Sequence, residues 1–197
     1  MKKIILLVWL FIGMQMHAQF FQNHALYLSA GMTISDSDYS GLNSSYRYVF
    51  KERVSLNYGS LQFTRQSRDI PNDYQGGFLA KKRKPLDSKL IKYVSAGYIL
   101  NLTQSHVVRL NLCAGIARIN ESCKSNWKKN DGGRFGPNYY GITTETEALG
   151  IFLNPRFEIS PKRWFGIELS PYAVIACDKT TMGGSFSLMF GLIRGKH

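Results

Sequence analysis

The chain has 197 residues, a formal charge of +12 and an apolar content of 44%. That length suits one domain. Beyond the N-terminus no stretch approaches the roughly 18 consecutive apolar residues that mark a membrane-crossing helix, so a membrane location requires a closed barrel whose strands satisfy one another's backbone groups. Three cysteines, Cys113, Cys123 and Cys177, are too few and too odd in number for a disulfide-built scaffold.

Lys2 and Lys3 begin the chain, residues 4–14 are apolar apart from Gly13, and Gln15-Met16-His17-Ala18 is a short polar stretch ending in a small residue. This is the layout of a secretory signal peptide over residues 1–18, with cleavage before Gln19 and a single mature domain over residues 19–197. No cysteine lies near the cut, which disfavours lipid anchoring.

From residue 24 the chain alternates apolar with small or polar residues, the period of a strand with two different faces. Leu26, Leu28, Ala30, Met32 and Ile34 form the first apolar row, opposite Tyr27, Ser29, Gly31 and Thr33. Tyr46, Tyr48 and Phe50 form the second, opposite Arg47 and Val49. In the third, Val54, Leu56 and Tyr58 oppose Ser55 and Asn57, and a slip of phase near Gly59-Ser60 predicts a β-bulge before Leu61 and Phe63. Rows from Val94 to Leu102, Val108 to Ile116, Leu149 to Ile159, Phe165 to Ile175 and Phe186 to Leu192 bring the count to eight strands. Pro155 and Pro171 fall within two of these rows and predict further bulges, because each removes a ladder donor.

The connections alternate too. Lys51-Glu52, residues 103–106 and residues 160–163 are short, whereas residues 35–41, 66–90, 121–147 and 178–184 give longer loops. Short turns at one end and longer loops at the other predict an all-β, antiparallel, eight-stranded transmembrane barrel, an up-and-down meander with a periplasmic N-terminus. A soluble lipocalin-like barrel is the rival, with the apolar row inside. It would require an outer row rich in Lys, Glu and Thr, but the second row is mostly Gly, Ser, Ala, Asn and Tyr. Small polar residues suit the narrow lumen of eight strands. Tyr46, Tyr48, Phe50, Trp164 and Phe165 near strand ends suit the headgroup level.

The signal ending in His17-Ala18-Gln19, Tyr46-Arg47-Tyr48 before a two-residue turn, and the final run of residues 184–192 resemble the small outer-membrane β-barrel (porin-like) proteins common in Bacteroidetes. The resemblance covers essentially the whole mature chain, is architectural, and carries no catalytic motif. It implies the outer membrane of a Gram-negative bacterium. The chain departs from the pattern at its end: such barrels often finish on an aromatic residue used in assembly, whereas here Arg194-Gly195-Lys196-His197 follow.

Arg109, Arg156, Glu158 and Glu168 share the inward facing on three consecutive strands, and Arg47 and Arg53 flank the first short turn. Charges in a low-dielectric lumen have to be paired. The resemblance to small barrels with ion-paired interiors implies a structural plug, with a polar conduit or gate as the alternative. The loops offer Lys81, Lys82, Arg83 and Lys84, then Lys124, Lys128, Lys129 and Arg134 around Trp127. These are a solvated face in the bland reading, and contacts for lipopolysaccharide phosphates or acidic polysaccharide in the sharper one. Nucleic acid is an unsuitable partner in this compartment. The topology places Cys123 and Cys177 at the loop end, in position for a disulfide that leaves Cys113 free.

Of the histidines, only His24, His106 and His197 follow the signal, and none falls at the outer leaflet, so a serine nucleophile lacks its base. No Cys-x-x-Cys, His-x-x-x-His or phosphate-loop pattern occurs, and no cofactor or metal is implied. The reading that follows is a non-enzymatic barrel with a structural or surface-interaction role. A small solute or ion channel, a lipid-modifying enzyme and a soluble carrier remain as alternatives.

Overall fold

The computed structural model describes residues 24–76, 84–130, 136–177 and 179–193. The expected signal segment, Lys81, Lys82, Arg83 and Arg134 lie outside the described residues. Eight strands follow in chain order: β1 (His24–Ser35), β2 (Tyr39–Phe50), β3 (Val54–Gln66), β4 (Leu86–Asn101), β5 (Val108–Lys129), β6 (Tyr139–Ile159), β7 (Phe165–Ala176) and β8 (Thr180–Leu192). Each pairs antiparallel with its neighbours in sequence, and β1 also pairs with β8, from Leu26↔Leu192 to Ser35↔Gly183, closing the ring. Closure removes the edges that an open sheet would leave unpaired.

At the turn end the connections are tight. Arg53 N–H donates to Phe50 C=O at 3.1 Å, with Lys51 and Glu52 at positive φ (48° and 55°). Those values match the primed turn whose twist suits a two-residue hairpin, here without the usual glycine. At the loop end, Ser37 and Asp38 adopt the same left-handed conformation between β1 and β2.

The alternating rows sort as hydrocarbon-like outside and polar inside. Met32, Leu149 and Ile116 are 74%, 71% and 69% exposed on the outer face, while Ser29, Asn43, Ser55, Asn111 and Ser187 are buried within. A lipocalin-like barrel has the opposite facing, and this orientation rules that arrangement out. Aromatic side chains gather on the outside at the turn end, where His24 stacks on Tyr48 and Phe165 packs against both Trp164 and Phe190.

Three features depart from expectation. The β3 rows do not slip: the register runs unbroken from Ser40↔Thr64 to Phe50↔Val54, and Gly59, Leu61 and Phe63 continue the inward row of Ser55 and Asn57. Leucine and phenylalanine enter the lumen because its loop-side half is an apolar layer built with Tyr39, Ile91, Tyr93, Phe152 and Tyr172. Gly59 leaves the room that this layer needs, since a Cβ there would come within 2.5 Å of the Tyr93 hydroxyl.

The prolines cause no bulge. Leu153↔Ala173 and Phe157↔Leu169 keep one register across the β6–β7 gap, which sets Pro155 opposite Pro171. The inward Asn154 side chain then donates to the Pro171 carbonyl at 2.8 Å, supplying a donor where the ladder lacks one.

The longest expected loop is mostly strand. Residues 121–129 and 139–147, expected as loop, extend β5 and β6 into a hairpin beyond the rest of the rim. Their period-two signal is absent because both rows turn polar once the outer face leaves its apolar belt, as in Thr143-Thr144-Glu145-Thr146-Glu147. The Arg118–Glu147 ion pair on the outer face marks that boundary. β2 likewise starts at Tyr39 and β4 at Leu86.

Candidate functional site

Inward charges form two groups, one deep in the lumen and one at its loop-end mouth. In the deep group Arg47 is the hub. Its Nη1 lies 2.5 Å from Glu158 Oε1 and its Nη2 lies 2.8 Å from Glu168 Oε2. Arg109 Nη2 approaches the other Glu158 oxygen at 2.6 Å. Tyr27 accepts from Arg47 at 3.1 Å and donates to Glu158 at 3.1 Å, and Arg47 Nε donates to Asn57 Oδ1 at 2.6 Å. These side chains are essentially excluded from solvent. Such a cluster is held only when every lone pair and proton is matched, as it largely is here.

Arg109, Arg156, Glu158 and Glu168 are therefore inward and buried together, but the set differs from the expected one in two ways. Arg156 makes no ion pair among the described residues. It donates to Asn154 Oδ1, to Asn57 Oδ1 at 3.2 Å and to Tyr93 OH at 3.3 Å. Arg47, placed from sequence only beside a turn, joins the two carboxylates. Its facing was legible, because Tyr46 and Tyr48 on either side belong to the outer row. The cluster lies between the apolar layer already described and a second apolar group at the turn end, formed by Ala25, Val49, Ile99, Met189 and Ile193. Fit within this layer is close: a Cβ on Gly97 would come within 2.5 Å of Asn111 Oδ1 and 2.6 Å of Cys113 Sγ.

The mouth is looser. Glu121 accepts from Tyr39 at 2.8 Å and pairs with Lys179 at 2.9 Å, while Arg65 pairs with Asp87 at 3.3 Å. Lys89 Nζ is buried, 3.9 Å from Glu121 and 4.5 Å from the Tyr39 ring, with no hydrogen bond. Burial pulls the Lys89 ammonium below its ordinary pKa. Burial acts upward on Glu121, yet the hydrogen bonds from Lys179 and Tyr39 outweigh it and hold this carboxyl below its ordinary value. A cavity of about 450 Å³ opens here, walled by Thr144, Thr146 and Ala148 of β6 and by Ala176, Lys179 and Thr181 beside it. Arg65, Asp87 and Lys89 were not singled out from sequence, because the last two fell within an expected loop.

The described basic residues Lys84, Lys128 and Lys129 are exposed at the loop end, and Lys124 is half-buried. Trp127 does not stand free beside them. A bulge between Ser125 and Lys128, with Asn126 at φ 53°, accompanies packing of its ring over Gly141 and edge-on to Tyr74. Asn138 N–H donates to Gln75 C=O at 3.1 Å and Tyr139 OH to Asp73 at 2.9 Å, so the β3–β4 connection is tied to the tall hairpin.

The expected Cys123–Cys177 bridge is not made, and all three thiols are free. Cys123 Sγ lies instead 3.7 Å from Glu121 Oε1 and 3.9 Å from Arg65 Nη2. Cys177 is exposed in the β7–β8 turn and Cys113 is buried. His24 and His106 both sit at the turn end, His106 3.0 Å from Glu52.

A closed eight-strand meander with an apolar outer face is the fold of the small outer-membrane β-barrels. No family model and no curated protein matches the chain. Among solved structures, it is similar to Ail, the attachment invasion locus protein of Yersinia pestis, with TM-score 0.53 and 15% identity over 86% of this chain and 97% of that one. The N-terminal barrel domain of Pseudomonas aeruginosa OprF aligns with TM-score 0.53 and 13% identity, covering 86% of this chain and 98% of that one. Neisserial surface protein A gives 0.52 and 11%, covering 85% and 95%. At such identities the likeness is one of fold. Ail has also been crystallised with the heparin analogue sucrose octasulfate.

Proposed function

We propose that the protein is a non-enzymatic, porin-like outer-membrane barrel of the Bacteroidetes kind, with a sealed lumen and a basic extracellular rim that contacts anionic surface polymers. In this reading residues 1–18 are removed on export, the turn end and N-terminus face the periplasm, and the loop end faces outward. The outer row carries the reading. Leucine, isoleucine and aromatic side chains exposed around the whole ring, above a turn-end cluster of tyrosine, phenylalanine and tryptophan, match hydrocarbon and interface. The Arg47–Glu158–Glu168 cluster between two apolar layers gives the lumen its plug.

The rim's partner is lipopolysaccharide phosphate or an acidic or sulfated polysaccharide. Lys84, Lys128 and Lys129 support this, and the heparin analogue bound by Ail is a parallel in a protein of the same fold. Fractionation combined with gel mobility tests the barrel: a band in the outer-membrane fraction should run compact unboiled and shift on heating. Recovery in the soluble periplasm would contradict it. Retention on immobilised heparin, released by moderate salt, tests the rim, because exposed charges are screened beyond roughly 8 Å at physiological ionic strength. Replacing Lys81, Lys82, Arg83 and Lys84 with Ser should weaken retention.

A further inference from the structure

The ring is fully paired only in its lower part. β5 pairs with β6 up to Lys129↔Tyr139, but β6 pairs with β7 only from Gly150↔Ala176 downward. Residues 139–149 are therefore held on one side by β5 and pair with no strand on the other among the described residues. That exposed edge is about 35 Å long at the usual strand rise, and above Leu149 its outer face has left the apolar belt.

A long, unpaired edge presents a row of backbone donors and acceptors, and proteins ordinarily blunt such edges with proline, lysine or a bulge. This edge carries no proline or lysine, its charges are Glu145 and Glu147, its bulge lies on the β5 side, and the remainder is rich in Tyr and Thr. The mouth cavity of about 450 Å³ lies against it, with Thr144, Thr146 and Ala148 of this strand in its wall. The cavity lies on the inward face of this strand, beside the free edge and next to Ala176, Lys179 and Thr181.

We infer that the free edge of β6 takes up an extended segment of another polypeptide as an added strand, whose inward side chains enter the mouth cavity. This inference rests on the outer-membrane orientation proposed above. In strand addition, main-chain hydrogen bonds hold the peptide and alternate side chains select it. On the inward side the cavity offers the hydroxyls and methyls of Thr144, Thr146, Ala148 and Thr181, beside Arg65, Glu121 and Lys179, whose charges are already paired. On the outer side Glu147 is already engaged by Arg118, but the exposed Glu145 has no ion pair among the described residues. Opposite charges across a strand pair attract, so the favoured segment carries Lys or Arg opposite Glu145 and small or branched residues on its other face. A second copy in the same membrane does not fit. Pairing one edge with its own copy requires antiparallel strands, and two barrels inserted the same way present this strand in the same direction.

The mature protein in phosphatidylcholine nanodiscs, with insertion verified by its heat-shifted band so that the barrel reading is judged separately, is titrated with a fluorescent 11-residue peptide of alternating Lys and Thr. Saturable binding is expected, together with at least tenfold slower hydrogen exchange at alternate amides of residues 139–149. A peptide N-methylated at alternate residues should lose binding, and Glu145→Lys should weaken it about tenfold without disturbing the heat shift. Equal binding of the N-methylated peptide, or edge amides already protected in the free protein, would overturn the inference. So would proteoliposomes that tether one another without peptide, which would assign the edge to a second copy facing from an opposed membrane.

Discussion

Glu158 and Glu121 are both inward carboxylates of the same hairpin, each approached by two cations and a tyrosine, yet their surroundings differ. Glu158 receives Arg47, Arg109 and Tyr27 in a layer closed above and below by apolar side chains. Glu121 receives Tyr39 and Lys179, the latter about half exposed, with Lys89 at 3.9 Å and a cavity beside it. Arginine forks fix geometry at several points, while lysines act as point charges on flexible stems. Position along the barrel axis thus separates a dry, arginine-forked layer from a looser mouth built of similar groups.

The sharpest break of that comparison is Glu158→Ala. It strands Arg47 and Arg109 in a dry layer, and removing one member of a buried pair costs roughly 3–5 kcal/mol. The compact unboiled band should weaken or vanish, and the chemical unfolding midpoint should fall. Glu121→Ala, whose Lys179 partner is half in water, should cost about 1 kcal/mol or less by the same readout. Equal losses at the two sites would erase the distinction.

Next in size is Gly97→Val. The new side chain has Asn111 and Cys113 where it must go, and overpacking of this kind costs about 1–3 kcal/mol. Asn154→Ala probes the facing prolines: the Pro171 carbonyl loses its donor, for about 1–3 kcal/mol if nothing replaces it. Asn154→Asp should restore the acceptor for Arg156 but not the donor to Pro171, because a carboxylate has no proton to donate at neutral pH.

The smallest effect is a pH dependence at the mouth. Glu121 is held below its ordinary 4.5 when folded. A depressed carboxyl contributes stability that is complete above the unfolded value and is lost as pH falls through the folded one. Glu121→Gln should therefore lower the unfolding free energy slightly at neutral pH and flatten its decline below about pH 4.5, so that the two proteins converge in acid.

The strands were legible wherever one row was apolar, because period two then shows directly in residue type. This located the cores of all eight strands and the facing of Arg109, Arg156, Glu158 and Glu168. It failed above the belt. Both rows of β5 and β6 turn polar there, so the tall hairpin, the free β6 edge and the inward facing of Asp87 and Lys89 carried no periodic signal. It also misread Leu61 and Phe63, since an apolar layer inside a narrow barrel looks like a slipped outer row. The Cys123–Cys177 pairing failed for a different reason: both thiols sit at the loop end, but sharing an end does not set the Cα separation that a bridge needs.

Conductance across a planar bilayer tests the proposed seal of the lumen most directly. Eight strands enclose a lumen that side chains just fill, and Arg47, Glu158 and Glu168 occupy it between two apolar layers. The intact protein should insert without steady current, and Glu158→Ala, if it assembles, should show intermittent openings. Large, sustained single-channel steps from the unaltered protein would contradict the seal and make the barrel a channel.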